Sequence, residues 1–260
     1  MRGRRFVVEH LARRNFQLRG DAPYVSFTFD DYPRTALTEG GRILSEHGVR
    51  GTYFVSLGLL GTQSVSGPIA TWADLAATVR HGHELGCHTF DHVDGSVVSA
   101  DQFARSIEAN RIALEQSAVS SRFDVFAYPL NGPALATKRV AGRRFVACRG
   151  GGQAINHGTL DLNLLKSYFL DARSRGRVDE VRRLIQANAA GKGWLIFATH
   201  DVSETPSDYG CDVAYFNTIL QLSLMAGARI LPVAQVCREL GLVCTQPVDA
   251  AATVATSHAV

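Results

Sequence analysis

The sequence predicts an α/β fold in which a parallel sheet closes, or nearly closes, into a single barrel. Three observations carry this. Strand-like segments alternate with helix-like ones along almost the whole chain, the pattern of repeated β-α units. The 260 residues show no internal repeat, linker or shift in composition that would divide them, and a barrel commonly fills this length as one domain. Finally, Asp30-Asp31, His88 and His92, Pro129 and His200-Asp201 all follow directly on predicted strands, at the end of such folds where chemistry collects.

The elements follow in order. Tyr24-Val25-Ser26-Phe27-Thr28-Phe29 is aromatic and β-branched and reads as a buried strand. Thr35 to His47 places Ala36, Leu37, Ile43 and Leu44 at helical spacing and ends at Gly48, a C′ glycine. Gly51 to Ser56 is a second strand, followed by a Gly/Ser-rich loop. Thr71, with Asp74 three residues on, opens a helix to Arg80. Glu84 to Cys87 is a short strand. Ser99 caps a helix to Ser117 whose Phe103, Ile107 and Leu114 share a face. Strands are expected at Phe123 to Tyr128, Phe145 to Cys148, Leu164 to Leu170 and Trp194 to Thr199. Helices are expected at Val178 to Ala189 and Val213 to Ala226. A short strand ends at Leu231, and Val233 to Leu240 is a terminal helix. Residues 1–244 thus form one domain with a basic segment over 1–22, and the aperiodic Ala/Thr/Val tail 245–260 is expected to be disordered.

Bulk composition narrows the class. Hydrophobic content of 46% and charged content of 20% belong to a globular chain. The net charge of +3 leans on Arg2, Arg4, Arg5, Arg13, Arg14 and Arg19. No aromatic platform or binding motif accompanies them, so they read as a solvated terminus and no nucleic-acid partner is expected. No stretch approaches the roughly 18 apolar residues of a membrane span, and the start has no apolar core of a secretory signal. Five cysteines without a C-x-x-C spacing suit a reduced interior, so a cytoplasmic location is expected. A homo-oligomer is compatible with all of this.

Two adjacent carboxylates after a buried strand repel each other unless something neutralises one, and a metal ion does so readily. Asp31, His88 and His92 together offer one carboxylate and two imidazoles, a set that suits zinc, iron, cobalt or nickel with positions left open. A spacing of four puts both histidines on one face of a helical turn. Taken alone an H-x-x-x-H pair is a weak signal, but this one follows a strand. Asp30 can then act on a water whose pKa a cation has lowered. His200 ends an apolar strand and can stand opposite as a general acid. Asp201 need not orient it, since neighbouring side chains on a strand point to opposite faces.

In these residues the chain resembles the NodB-type polysaccharide deacetylases over roughly Tyr24 to Leu240. The family's T-F-D-D motif stands intact as Thr28-Phe29-Asp30-Asp31, and its H-[ST]-x-x-H motif as His88-Thr89-Phe90-Asp91-His92. The resemblance implies a distorted (β/α) barrel of seven strands. It implies that Asp31, His88 and His92 bind a divalent metal, zinc first and cobalt, nickel or manganese as alternatives. It makes Asp30 the base and His200 the acid, and Thr89 braces the ligand loop. The third motif, often R-x-P-[YF], stands here as Phe126-Ala127-Tyr128-Pro129-Leu130-Asn131-Gly132. Its arginine is missing, and Leu130 replaces an aromatic, although the backbone of Tyr128, Pro129 and Leu130 could still serve the oxyanion and the substrate. The fourth motif has no clear match, with Asp161 and Asp171 as candidates. The fifth stands as Ala198-Thr199-His200.

The implied activity is hydrolytic removal of an N-acetyl group from an amino sugar, releasing acetate. The substrate would be an oligosaccharide, a glycolipid precursor or a nucleotide sugar. The alternatives are hydrolysis of a non-sugar amide by the same machinery, or a silent carbohydrate-binding relative. His81, His83, His47, His157 and Cys87 are expected to be structural, Gly150-Gly151-Gly152 a flexible loop, and residues 203–211 part of the substrate rim.

Overall fold

Tyr24–Phe29 (β2) is buried along its whole length and forms the middle of the sheet. The structure is a computed structural model that describes residues 7–242. Before β2 lies Asn15–Gln17 (β1), and after it come Thr52–Val55 (β3), Gln63–Ser64 (β4), Gly67–Pro68 (β5), Glu84–Cys87 (β6), Val125–Ala127 (β7) and Ala147–Arg149 (β8). Thr159–Asp161 (β9), Tyr168–Phe169 (β10), Trp194–Thr199 (β11) and Arg229–Ile230 (β12) complete the strands. The main sheet runs β10-β11-β2-β3-β6-β7-β8, parallel at every step.

The expected seven strands make up this path, and β12 adds an eighth. β11 takes one edge of β2 from Trp194↔Tyr24 to Thr199↔Phe29. The other edge is shared: β3 pairs only with Thr28 and Phe29, and β12 pairs below with Tyr24 and Val25. The two ends of the path are drawn together, because Leu165 donates to Cys148 O (2.8 Å) and Gly150 to Leu165 O (2.9 Å), just ahead of β10. The sheet therefore curls into a distorted barrel.

Helices cover the outside. Ala36–Gly41 is a wide π-type turn that passes into α1 (Arg42–Glu46), where a regular helix was expected throughout. Close approach explains the glycines of this turn. A Cβ on Gly40 would lie 2.8 Å from the Phe29 ring, and one on Gly41 would lie 2.7 Å from the Tyr53 hydroxyl. The sequence expectations hold closely for α2 (Trp72–Arg80), α3 (Ala100–Glu115), α5 (Val178–Gly191), α6 (Val213–Met225) and α7 (Val233–Glu239). The Thr71–Asp74 capping box and the Ser99 cap are both formed.

Five strands and α-helices escaped the sequence reading, two of them the short pair β4 and β5 within the expected Gly/Ser-rich loop. The helix α4 (Leu135–Gly142) has a weak apolar stripe, and β1 and β9 are too short for periodicity to register. Antiparallel β1 and β9 make a ribbon beside the barrel. Arg14 is correspondingly not a solvated terminal charge: its guanidinium donates to Phe145 O and Val146 O at 2.9 and 2.5 Å. Residues 1–6 of the basic segment, and the tail 245–260 expected to be disordered, lie outside the described residues.

The outer core packs Phe27, Phe29 and Phe197 of the sheet against Phe216 and Ile219 of α6. A second cluster holds Phe54, Val125, Ala127, Trp194 and Ile196. His83, expected on a turn, is buried at the foot of β6. Its Nδ1 accepts from Gly51 N at 3.1 Å, and burial lowers its pKa to about 4. Among the described residues, no helix is long and apolar enough to cross a membrane.

Candidate active site

The site forms where β2, β6, β7, β8 and β11 end. β2 stops at Phe29, and the side-chain alternation stops with it. Asp31 and Tyr32 both take left-handed φ values, 58° and 60°, a sparsely populated conformation for residues other than glycine. The cost is met by anchoring: the Tyr32 ring is fully buried against Tyr53, and its hydroxyl shares a hydrogen bond with that of Thr78. Asp30 N donates to Thr199 O at 2.9 Å, tying the pair of acids to the end of β11.

His88 continues β6, with its N–H on Val55 O at 3.1 Å. Residues 88–92 are not a helical turn, contrary to the spacing argument. Thr89 and His92 have φ values of 61° and 52°, and the loop they form brings the two imidazole centroids to 5.0 Å. Thr89 Oγ1 accepts from Val93 N at 3.0 Å. His88 Nδ1 lies 2.8 Å from Ala127 O, and since a carbonyl only accepts, Nδ1 carries the proton and Nε2 presents a lone pair.

Three donor atoms then converge. His92 Nε2 is 3.1 Å and His88 Nε2 3.4 Å from Asp31 Oδ1, with His200 Nε2 3.8 Å from Asp31 Oδ2. The ligand atoms of Asp31, His88 and His92 all lie within 4.8 Å of one another. Despite this proximity, buried Asp31 Oδ1 meets no hydrogen bond of good geometry. A buried carboxylate oxygen left unsatisfied beside two imidazole nitrogens is what a divalent cation completes, so the residues fit such an ion. Burial works to raise the Asp31 pKa, but the two imidazoles outweigh it and hold the carboxyl far below its usual range. His92 responds in kind: burial lowers its pKa, and Asp31 more than reverses this.

Asp30 is held by an arginine that the sequence reading missed. Arg149, at the carboxyl end of β8, donates Nη2 to Asp30 Oδ1, and both side chains are buried. The guanidinium sits between the rings of Phe54 and Phe169, 5.2 and 5.6 Å from their centroids, and also donates to Ser167 Oγ at 3.2 Å. A signal did exist: Arg149 follows an apolar strand at the same end as the other site residues.

His200 Nδ1 faces Tyr209 O at 3.2 Å, so a backbone carbonyl orients the ring and Nε2 points toward Asp31. Asp201 serves the loop instead, accepting from Ser207 N and Ser207 Oγ at 2.8 and 2.5 Å. The third-motif segment divides by side chain. Tyr128 is fully buried and donates its hydroxyl to Asn163 O at 3.0 Å, and Pro129 is buried, so neither side chain is presented to a substrate. Leu130 is 67% exposed with φ of 55°. Of the fourth-motif candidates, Asp161 pairs with Lys138 and Asp171 with Arg173. Cys87 is buried beside Asn110, and burial pushes its thiol up to about 12.

Comparison with known proteins agrees with this fold. Residues 18–142 match the polysaccharide deacetylase family. The Xyl-CE4 domain of a multidomain xylanase from the hindgut metagenome of Trinervitermes trinervoides superposes with a TM-score of 0.58 at 18% identity, over 86% of this chain and 93% of that one. A family 4 acetyl xylan esterase from Clostridium thermocellum, solved with cobalt, gives 0.57 at 18% identity over 85% and 93%. A CE4 family pseudoenzyme of Bacillus anthracis gives 0.57 at 13% identity over 85% and 67%. At these identities the likeness speaks for the fold. No curated protein matches the chain.

Proposed function

We propose, from the match of residues 18–142 to the polysaccharide deacetylase family of hydrolases, that this chain is a metal-dependent enzyme that removes N-acetyl groups from an amino sugar. The observation that carries the reading is the convergence of Asp31, His88 and His92 beside an Asp30 that buried Arg149 holds in place.

In this reading Asp31, His88 and His92 hold the cation. A divalent metal there, zinc first and cobalt, nickel or manganese next, supplies Lewis-acid polarisation of the acetyl carbonyl and a lowered pKa for water. Asp30 takes the proton of the attacking water. Arg149 occupies its Oδ1, fixes the carboxylate plane and leaves Oδ2 for that transfer. The backbone N–H at Leu130 faces the oxyanion as the carbonyl carbon becomes tetrahedral. His200, with Nδ1–H on Tyr209 O, delivers a proton from Nε2 to the departing amine. Acetate and a free amino sugar leave. The buried, unpaired thiols of Cys87, Cys148, Cys211 and Cys237 support a reducing, cytoplasmic setting.

Acetate release across N-acetylated sugars and simple amides, with zinc or cobalt added, tests the reading. Near-stoichiometric metal, lost in Asp31→Ala, and acetate release abolished in Asp30→Asn with metal retained are expected. Full turnover by Asp30→Asn would refute the assigned base. Release from simple amides alone would move the substrate away from sugars.

A further inference from the structure

A groove of about 1220 Å³ opens beside the candidate site. Two loops join the two. Leu130 and Asn131 line the groove, and they follow the strand whose Ala127 carbonyl fixes His88. Gly151 and Gly152 line it too, directly after the Arg149 that holds Asp30. The 129–132 turn and the loop after Arg149 therefore border both the site and the groove, and a substituent of a sugar held at Asp31 enters the groove by crossing this border.

The lining chooses among the possible substituents. Among the described residues it contains Val8, Leu130, Leu135, Ile155, Leu160 and Leu164, but no Phe, Tyr or Trp. Further pyranose rings present flat C–H faces that stack best on Phe, Tyr or Trp, and the groove offers only the smaller imidazoles of His10 and His157. A nucleotide diphosphate calls for a cluster of cations, yet the lining offers only Arg13 and Lys166, with Glu9 set against them and Asp161 already taken up by Lys138. The volume also exceeds what a single sugar requires. A flexible aliphatic chain satisfies all three conditions, since it gains from aliphatic burial and asks for neither rings nor charge.

We infer that the groove holds the alkyl or polyisoprenyl chain of the substrate, so that the amino sugar is presented as a glycolipid. This rests on the deacetylase reading for the sugar end only. The test is calorimetric titration of the metal-loaded full chain with methyl and dodecyl 2-acetamido-2-deoxy-β-D-glucopyranoside below micellar concentration. Chitotetraose and UDP-N-acetylglucosamine serve as comparison arms.

The dodecyl glycoside should bind at least tenfold more tightly than the methyl glycoside, the gain from burying about two methylenes. Ile155→Trp, which fills the groove, should erase that gain. Leu130→Ser, at an exposed position whose change does not threaten the fold, should reduce it several-fold. Equal affinities within threefold, a gain untouched by both substitutions, or tighter binding of chitotetraose or the nucleotide sugar would overturn the inference. A groove-dependent gain without acetate release from any glycoside would uphold the groove and defeat the deacetylase reading instead.

Discussion

Arg149 and Asp30 face each other from strands four steps apart in the sheet path, with almost no solvent at either group. Removing one partner of such a pair strands the other charge, at about 3–5 kcal/mol. Arg149→Met should cost that much in urea unfolding and lower acetate release by about a hundredfold or more. Arg149→Lys keeps the charge but not the planar fork between Phe54 and Phe169, and should recover stability better than turnover. Glu84, at the other end of the barrel, sets a pH dependence. Burial pushes its pKa up to about 7, and the hydrogen bonds from Ala234 N and Thr52 Oγ only partly offset this. A carboxyl raised on folding leaves stability fully present below its unfolded value near 4.5, and that stability is lost as pH rises through 7. Part of Glu84 still meets solvent, which trims the loss to on the order of 2 kcal/mol. His83 has the opposite sign, losing stability as pH falls from 6.5 toward 4. Urea unfolding of wild type and Glu84→Gln at pH 5 and pH 8 separates the two, and the variant should gain on wild type only at pH 8.

At the level of the element, local chemistry and tertiary demand divide the work. The start of α2 is local: Thr71 N and Oγ1 both donate to Asp74 Oδ2, at 2.8 and 2.7 Å, and Thr71 Oγ1 accepts from Asp74 N. Thr71→Ala should cost about 1 kcal/mol in thermal or chemical unfolding without affecting metal content. That helix, the buried strands and the acids and histidines at their ends were legible in the sequence because capping, apolar runs and motif spacing are short-range signals. The 88–92 loop was not. Its spacing of four imitates a helical turn, while the left-handed Thr89 and His92 are imposed by the site. Arg149 was missed for a related reason, since a lone arginine carries no periodic signal and its meaning lies in what stands across the barrel. The ribbon β1–β9 was hidden because each strand is short and the pairing spans most of the chain.

The N-terminal segment is built into the molecule as a whole through one cation. Lys138 on α4 is fully buried and donates to Val8 O, Leu11 O and Asp161 Oδ2 at 2.6, 2.9 and 2.7 Å. It clamps residues 8–11 over the barrel and neutralises Asp161 of the ribbon. Lys138→Met should leave that carboxylate unpaired and cost about 3–5 kcal/mol. Hydrogen exchange should then show protection falling first across residues 7–17, before the central strands β2 and β11. If the groove beside the site binds chains as inferred, its Val8 wall loosens with it, and this one substitution should weaken alkyl glycosides more than methyl glycosides.

The position of Arg149 has a consequence for how such chains are sorted. A census that reads linear motifs scores this sequence as lacking an arginine in the segment Phe126 to Gly132. A guanidinium stands instead at the end of the neighbouring strand and reaches Asp30 from there. What holds the carboxylate is a contact in space rather than a letter in a string, so searches for chains with this arrangement should look for an arginine at the end of either strand.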